Sequence, residues 1–353
     1  MKFLYALLVF VPLTGVAHGL HWDPTLQFVA SLLAIVPLAK LMGSATEEVA
    51  LRTGPGIGGL LNATFGNATE LIIALFALNA GLYKIVQASI TGSIIGNILF
   101  VLGLAIFAGG LRYPSLHFNR TVAGLNTSLL MLAVVGLLVP AAYEWHMKHL
   151  GVAAGPKVWQ FSALVAVVLI LVYVANLVFA LRTHADLYAG GEGQHDEHET
   201  PTWSMPLAVG VLLGSTVLVA LMSEVLVGSI EHVTKSWGLP ELFIGVILVP
   251  IVGNAAEHMT AVTVAMKNKM DLSLGIAIGS TTQIALLIAP VLVLAGWAMG
   301  KPLTLSFDVF EVVSVMMAVA VVNFIVLDGE SNWLEGLMLL ATYGILAVAF
   351  LLH

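Results

Sequence analysis

The sequence contains one short pattern twice, as Gly66-Asn67-Ala68-Thr69-Glu70 and as Gly253-Asn254-Ala255-Ala256-Glu257. The offset of 187 residues, from 66 to 253, continues without gaps on both sides, where small residues recur at matched positions. Self-similarity at a fixed offset indicates an internal duplication, so the chain is built from two related halves. The matched pairs outside the pattern are Gly58 with Gly245, Ala74 with Ala261, Gly92 with Gly279 and Ser93 with Ser280.

The composition is that of a membrane protein. Of the 353 residues, 59% are hydrophobic and 9% are charged, and the mean hydropathy is +1.01, whereas a soluble domain carries about 25% charged residues. The formal net charge of -7 and the lack of a basic patch argue against a nucleic-acid partner. The sequence has no cysteine, which excludes disulfides, thiolate metal sites and cysteine nucleophiles.

Apolar runs of about the 20 residues needed to cross a bilayer recur along the chain. They predict an all-α membrane protein of about eleven transmembrane helices, with one helix followed by two five-helix repeats. An odd number of spans per repeat gives the second copy the opposite orientation in the membrane, so the repeats are predicted to be inverted. The predicted helices lie at residues 3–20, 25–43, 57–80, 89–110, 122–144, 158–183, 204–231, 240–266, 273–299, 307–327 and 332–352.

The first segment is ambiguous, because Lys2, an apolar run and small residues also describe a cleavable secretory signal. Either interpretation gives the rest of the chain the same orientation in the membrane. Lys and Arg favour one face by eight to five, which places the amino terminus and the loop between the repeats in the cytoplasm. The predicted segments are a first helix or signal-like segment at 1–22, repeat 1 at 23–183, an acidic, histidine-rich cytoplasmic loop at 184–203 and repeat 2 at 204–353.

The repeated motif has the chemistry of a cation site. Asn67 and Glu70 lie three residues apart, as do Asn254 and Glu257, so each pair projects from one face of a helix. A carboxylate within lipid costs several kcal/mol unless it is protonated, paired or bound to a cation, so two at matched positions indicate an ion pathway. Oxygen ligands favour a hard divalent metal ion such as Ca²⁺, which accepts roughly six to eight of them.

Further oxygen atoms are predicted around this motif. Pro250 has no N–H to offer the carbonyl of Val246, and glycines loosen both helices, so backbone carbonyls should be exposed near the centre of the bilayer. Polar side chains one helix further along each repeat are expected to add ligands or to line a gate. The accessory candidates are Ala63, Ser93, Asn97, Pro250, Ser280, Thr281 and Gln283.

The two carboxylates also predict coupling to protons. When Ca²⁺ leaves, two bare charges in a low-dielectric site are costly, so each glutamate is expected to take up a proton before the helices rearrange. A neutral or Ca²⁺-loaded site can then switch the side of the membrane to which it is open, whereas a half-loaded, charged site cannot. The motif predicts a secondary antiporter that binds Ca²⁺ or protons in turn at Glu70 and Glu257, with no cofactor and no enzymatic activity.

Three runs of sequence, at residues 58–70, 253–258 and 279–283, resemble the calcium/proton exchangers of the calcium/cation antiporter superfamily. The resemblance covers nearly all of the chain, including the one-plus-five-plus-five layout and the short acidic loop between halves. Sodium-coupled relatives carry additional acidic or hydroxyl-rich sites, whereas the predicted helices 89–110 and 273–299 contain no carboxylate. The resemblance therefore favours protons as the counter-ion.

The resemblance also implies roles for individual residues. It implies that Glu70 and Glu257 bind Ca²⁺ and protons alternately, and that Asn67 and Asn254 are neighbouring ligands. It places Gln283 near the cytoplasmic gate. Acidic residues outside the centre are implied to feed the cavity, namely Glu47 and Glu224.

Several of these residues have a plainer interpretation. Glu70 and Glu257 alternatively form a structural pair held by hydrogen bonds. Glu48 either belongs to the ion pathway or is a surface charge, and His258 either relays protons, tunes Glu257 or fills a polar position. Five acids at helix ends are interpreted as ordinary interfacial charge, namely Asp308, Glu311, Asp328, Glu330 and Glu335.

The loop at 184–203 has its own alternatives. Its acids and histidines are typical of a solvated linker, but they would also suit a low-affinity sensor of Ca²⁺ or pH at the cytoplasmic entrance. His195 and His198 alternatively hold Zn²⁺.

Other functions for the whole chain remain open at this stage. The alternatives are an exchanger coupled to Na⁺ or selective for another metal such as Mn²⁺, a cation channel, and a membrane-embedded enzyme, for which no nucleophile or metal cluster is found in the spans. The expected partners are Ca²⁺, protons and the lipid bilayer, and the sequence does not give the oligomeric state. A bacterial inner membrane is the preferred location, because no long amino-terminal extension precedes the first helix.

Overall fold

The computed structural model describes residues 5–53, 55–151, 155–189 and 201–353. Lys2 and the acidic part of the loop between the repeats, with His195 and His198, lie outside these residues, and only the backbone of Ala63 is described. Each predicted apolar run corresponds to a helix or to two helices separated by a short break. The predicted all-α membrane fold, with one helix followed by two inverted five-helix repeats, is confirmed.

Repeat 1 follows a short apolar helix, α1 (Leu7–Gly19), that packs against the next helix. Its second span is divided into two half-helices at Gly66 and Asn67. The helices of repeat 1 are α2 (Pro24–Thr53), α3 (Pro55–Phe65), α4 (Ala68–Asn79), α5 (Tyr83–Gly110), α6 (Arg120–His149) and α7 (Gly155–Thr183), after which the short α8 (Ala185–Ala189) begins the loop between repeats.

Repeat 2 reproduces this order. Its second span is again broken, with a bend of 62° at Asn254. Within the described residues, seven helices are long and apolar enough to cross a membrane, and the bent pair makes an eighth. The helices of repeat 2 are α9 (Met205–Trp237), α10 (Glu241–Gly253), α11 (Ala255–Ala265), α12 (Met270–Ala298), α13 (Val309–Ile325) and α14 (Trp333–Leu352).

Several observed helices extend beyond their predicted bounds, and α2 does so the furthest. The helix predicted to end near residue 43 continues to Thr53 as α2. Its polar stretch includes Glu47 and Glu48, and Glu is a good helix former, so loss of hydrophobicity there does not end the helix. The carboxyl end of α2 therefore extends beyond its apolar part.

Helix packing follows the duplication. Helix α2 packs along its counterpart α9, and each of them also contacts the second half-helix of the other repeat, α11 and α4. Helix α7 packs on α12 just as α14 packs on α5, and α6 contacts α12 just as α13 contacts α5. The contacts therefore have the pseudo-two-fold relation that inverted-repeat transporters show.

Helices α5 and α12 form the centre of the bundle. Their most apolar stretches are 83% and 72% buried, whereas that of α7 is only 17% buried and is left to face lipid. A Cβ placed on Gly92 would lie 2.1 Å from the carbonyl oxygen of Val246, so α5 and α10 meet backbone to backbone. Small residues at such contacts let membrane helices approach closely.

A two-residue strand pair joins loops of the two repeats. Strand β1 (Leu116–His117), between α5 and α6, is antiparallel to β2 (Glu330–Ser331), between α13 and α14. The Phe118 N–H also donates to the carbonyl of Gly329 at 3.0 Å. One rim of the bundle is thus tied across the repeats.

Helices α13 and α14 both begin with a capping box, a reciprocal pair of side-chain-to-backbone hydrogen bonds. Asp308 and Glu311 form the first, and Asn332 and Glu335 form the second. Glu311 is only 3% exposed. Its interpretation as ordinary interfacial charge is therefore wrong, because the cap turns its side chain into the protein.

Candidate ion-binding site

The breaks in the two second spans set the position of the repeated motifs. Asn67 and Asn254 leave the helical conformation, with φ and ψ of -109° and 24° for Asn67 and -96° and 5° for Asn254. Each asparagine starts a new half-helix, so Glu70 and Glu257 lie in the first turns of α4 and α11. The positive end of a helix dipole favours a negative charge there.

The two glutamates approach each other across the repeats. Glu70 Oε1 lies 3.4 Å from the position of a Cβ on Gly253, so it reaches the break in the other repeat. The charge of Glu257 acts on that of Glu70. Oε2 of each glutamate is buried and has no hydrogen-bond partner among the described residues. A proton, a cation or a water molecule could satisfy these oxygens.

A chain of hydrogen bonds links Asn67 to repeat 2. Asn67 Nδ2 donates to Gln283 Oε1 at 2.5 Å, and the Ser280 hydroxyl donates to Asn67 Oδ1 at 2.9 Å. Asn97 Nδ2 in turn donates to the Ser280 hydroxyl at 3.1 Å. Ser280 also interacts with the carboxylate of Glu257. Four of the predicted accessory residues and ligands thus form one network.

Asn254 makes no such network. Its Nδ2 donates to the carbonyl of Pro250 at 3.1 Å, within its own repeat, and its buried Oδ1 has no partner in the described part of the chain. Ser93, the counterpart of Ser280, is buried and lines a small cavity together with Glu70. The amide oxygen of this half is therefore free to bind a ligand.

The cavity lies between Glu70 and the break in repeat 2. Its volume of about 20 Å³ is enough for one water-sized guest. Apolar residues close most of it, and its polar wall consists of Glu70, Ser89, Ser93 and the Pro250 to Gly253 turn. Ser89 was missed by sequence reasoning, although its position one turn before Ser93 was a usable signal.

Two oxygen atoms that the sequence predicts near the ion site make contacts in other places. The Val246 carbonyl lies against Gly92 at the α5–α10 contact. The Thr281 hydroxyl donates to the Ala277 carbonyl at 2.8 Å inside its own helix. Neither residue lines the Glu70 cavity, so the side-chain oxygens there are those of Glu70, Ser89 and Ser93.

His258 is buried next to the motif. It is 8% exposed, and its ring contacts Phe100 edge to face with centroids 6.2 Å apart. Its Nε2 has no hydrogen-bond partner within the residues described. A nitrogen in this state can accept or donate a proton, so its predicted pathway role stays a prediction.

The outer acids lie away from the carboxylate pair. Glu47 and Glu224 are exposed on α2 and α9. Glu48 accepts hydrogen bonds from the backbone N–H groups of Thr202 and Trp203, both at 3.1 Å, and from the Thr202 hydroxyl. Glu48 thus holds the chain entering α9, and the pathway role predicted for all three stays a prediction.

Comparison with known proteins identifies the family of this chain. The family described as "Sodium/calcium exchanger protein" matches residues 24–182 and 207–352. A Synechocystis protein named Ca(2+)/H(+) antiporter is 52% identical over 367 residues, covering 100% of this chain and 98% of that protein. Ca(2+)/H(+) antiporter ChaA of Bacillus subtilis is 45% identical over 344 residues, covering 97% and 96%.

A solved structure has the same architecture. The Ca²⁺/H⁺ antiporter protein YfkE aligns with a TM-score of 0.85 at 40% sequence identity, and the alignment covers 100% of both chains. The family resemblance noted in the sequence is confirmed by these matches over the full length. This chain belongs to the sodium/calcium exchanger protein family.

Proposed function

We propose that this protein is a secondary antiporter that exchanges Ca²⁺ for protons, with Glu70 and Glu257 binding either ion in turn. One observation carries the proposal. Two carboxylates from the broken helices of inverted repeats meet with buried, unpartnered oxygens. The three similar proteins described above are named Ca²⁺/H⁺ antiporters, which supports the choice of ions.

Ca²⁺ would be bound by hard oxygen atoms from both repeats. Two carboxylates, the free Oδ1 of Asn254 and the Ser93 hydroxyl are available in this conformation. Water and backbone carbonyls commonly complete the roughly six to eight oxygens that Ca²⁺ takes. Among the described residues no cluster of three or more acids and histidines offers a metal site. Two carboxylates with neutral oxygens suit a transported ion, which must also leave.

Protons would occupy the same carboxylates after Ca²⁺ leaves. Two bare charges in a buried site repel each other, and each buried Oε2 has nothing else to bond to within the described chain. Loading with one dication or with protons reduces the charge of the pair. The site would then change its access to the two sides only when it is loaded, which makes the exchange obligatory.

The asymmetry of the two amides supports an alternating mechanism. The Asn67 side chain is hydrogen-bonded to Gln283 and Ser280, while the side-chain oxygen of Asn254 has no partner among the described residues. A rearrangement that frees Asn67 and engages Asn254 would exchange the roles of the two repeats. Gln283 would then act as a gate residue, as the family resemblance implies.

The remaining assignments follow from this proposal. Glu47, Glu48, Glu224 and His258 would belong to the ion and proton pathway. The preferred location is a bacterial inner membrane, with the loop between repeats in the cytoplasm. No cofactor is needed, because exchange requires only the two ions and a closed bilayer.

Flux in reconstituted vesicles tests the proposal. With an imposed proton gradient, ⁴⁵Ca²⁺ uptake should appear and should collapse when a protonophore is added. Glu70→Gln and Glu257→Gln should each abolish uptake, because each removes a charged oxygen ligand for Ca²⁺ and a group that can bind a proton. The matched control is Glu231→Gln, an exposed acid paired with Lys235 at 2.7 Å, which should transport normally.

Uptake that survives both central substitutions would refute the site. The family description also includes sodium, so an exchanger coupled to Na⁺ is the second candidate. Replacing the proton gradient by a Na⁺ gradient, and Ca²⁺ by Mn²⁺, distinguishes these alternatives. Flux without any counter-gradient would indicate a channel.

A further inference from the structure

A large open cavity lies at one end of the bundle, apart from the Glu70 cavity. This vestibule has a volume of about 810 Å³ and lies between the ends of α5, α6, α10 and α13. Gln87 on α5, and Asp308 and Glu311 at the start of α13, contribute to its wall. Of the acids that line this wall in the described part of the chain, Glu311 is the buried one at 3% exposure, so its carboxyl lies beneath the vestibule surface.

The Glu311 carboxyl is only half satisfied. Oε2 accepts a hydrogen bond from the Asp308 N–H at 3.1 Å as part of the capping box. Oε1 is buried and lacks a hydrogen-bond partner in the described chain. A helix cap requires one oxygen of this side chain, and it explains neither the second oxygen nor the choice of an ionisable residue.

Helix α13, which carries Glu311, packs against α5. The hydroxyl of Thr91, a residue with no exposure, interacts with the Glu311 carboxyl. Unlike the hydroxyls of Thr281 and Thr282, which donate to carbonyls four residues earlier at 2.8 and 2.9 Å, the Thr91 hydroxyl has no bond of good geometry within the residues described. It is therefore free to donate to Glu311 or to accept from it.

Thr91 connects this contact to the helix that carries the central site. Ser89 and Ser93, two residues away on either side, line the cavity beside Glu70. Because successive residues of a helix are rigidly connected, a shift of Thr91 moves both serines. Glu311 has no acidic counterpart in repeat 1, where the matched position is Gly124. The contact of an acid at this position therefore has no equivalent in repeat 1.

We propose that Glu311 is a positioning residue of the exchange cycle that takes up a proton from the vestibule and changes its bond to Thr91 accordingly. A hydronium ion of the vestibule gives its proton to the carboxylate and leaves as water, and the carboxyl then donates to the Thr91 hydroxyl. When the proton returns to water, Thr91 donates to the carboxylate instead. Protonation in the vestibule thereby acts on α5, and the inference rests on the proposed Ca²⁺/H⁺ exchange.

Other charged groups surround the vestibule, and Asp308 acts directly on Glu311. The Glu144 carboxylate forms an ion pair with Lys148 at 2.7 Å, which limits its own effect. The remaining titratable groups that line the vestibule are Tyr83 and Lys84 on α5, Glu241 on α10 and His353 after α14.

The test uses two matched glutamines. Glu311→Gln keeps the capping box, since Gln serves at this position as well as Glu, but it cannot bind a proton. Glu335→Gln makes the same change in the second capping box, where Glu335 Oε2 accepts from Ser331 at 2.7 Å and from Asn332 N at 3.3 Å. Ca²⁺ flux is measured in vesicles of one orientation, with the pH varied on each side separately.

Glu311→Gln should slow exchange by about tenfold, within the range of known coupling energies, and should remove the dependence of the rate on pH at the vestibule side. The KM for Ca²⁺ should stay unchanged, and Glu335→Gln should match the wild type. Thr91→Val, which removes the hydroxyl and keeps the shape, should reproduce the loss of pH dependence.

A Glu311→Gln protein with the rate and two-sided pH profile of the wild type would overturn the inference, and so would equal effects of Glu311→Gln and Glu335→Gln. Neither outcome would contradict the proposed Ca²⁺/H⁺ exchange at Glu70 and Glu257. A wild-type protein without proton-driven Ca²⁺ flux would instead refute the proposed function, so the two failures are distinguishable.

Discussion

The two copies of the motif differ in their bonding although their sequences match. In repeat 1, Asn67 is held by two side chains of repeat 2, Gln283 and Ser280. In repeat 2, Asn254 bonds only to its own Pro250 carbonyl and keeps a buried oxygen unpartnered within the described residues. The duplicated motif has therefore folded with one asparagine side chain bonded across the repeats and the other bonded only within its own repeat.

The largest expected effect comes from matched glycines on α5 and α12. A Cβ on Gly92 would lie 2.1 Å from the Val246 carbonyl oxygen, which is backbone and cannot yield, whereas a Cβ on Gly279 meets nothing within 4 Å. Gly92→Ala should prevent folding or cost at least about 3 kcal/mol, beyond typical overpacking. Gly279→Ala should fold as the wild type does.

Yield and thermal stability in detergent measure this difference. Equal behaviour of the two alanine variants would mean that the α5–α10 contact is not as close as described. It would also remove the main structural distinction between the two central helices.

A smaller effect is expected from the two asparagines. Asn67→Ala leaves the Ser280 hydroxyl and the Gln283 amide without their partner, so it should destabilise the protein by about 1–3 kcal/mol. Asn254→Ala removes a single bond to Pro250 and should cost about 1 kcal/mol or less. It should instead raise the KM for Ca²⁺, because it removes the free oxygen.

Thermal unfolding in detergent and Ca²⁺ flux together separate the two variants. If Asn254→Ala is the less stable protein, or if both variants change KM equally, the asymmetry does not describe the population in solution.

The smallest expected effect concerns the starts of the counterpart helices α2 and α9. Hydrogen bonds from the Thr25 hydroxyl and N–H hold the pKa of Asp23 below its ordinary value, whereas α9 begins at Ser204, which does not titrate. Because the folded-state pKa is lowered, this contribution is present above the unfolded-state pKa and is lost as the pH falls through the folded value. Asp23→Ser should keep a cap and lose this acid sensitivity.

The melting temperature of the two proteins, followed as the pH is lowered through the titration of Asp23, is the measurement. A wild-type protein and an Asp23→Ser protein with parallel curves would show that this cap adds no pH dependence. In that event the starts of α2 and α9 would not differ in their effect on the pH dependence of stability.

Much of the fold follows from local sequence. The apolar runs predict the helices, and the Gly66 and Gly253 patterns mark the breaks, because both properties depend on a few adjacent residues. The repeat offset predicts which helices correspond, and their packing agrees. The end of α2 was misjudged, because hydrophobicity measures lipid contact and not helix continuation.

The bonding of the site depends on relations that no local pattern contains. Whether Asn67 or Asn254 is engaged depends on the relative position of helices 187 residues apart, and the sequence is nearly the same at both. Glu311 shows the same limit, since its place beside a helix start was visible but its burial against Thr91 was not. Ser89 was within reach of a periodicity argument.

The strand pair of β1 and β2 has a consequence for movement. It ties the α5–α6 turn to the α13–α14 turn, so these two turns must travel together whenever the protein changes shape. Helices α2 and α9, which pack along each other, take no part in this link, which consists of four backbone residues.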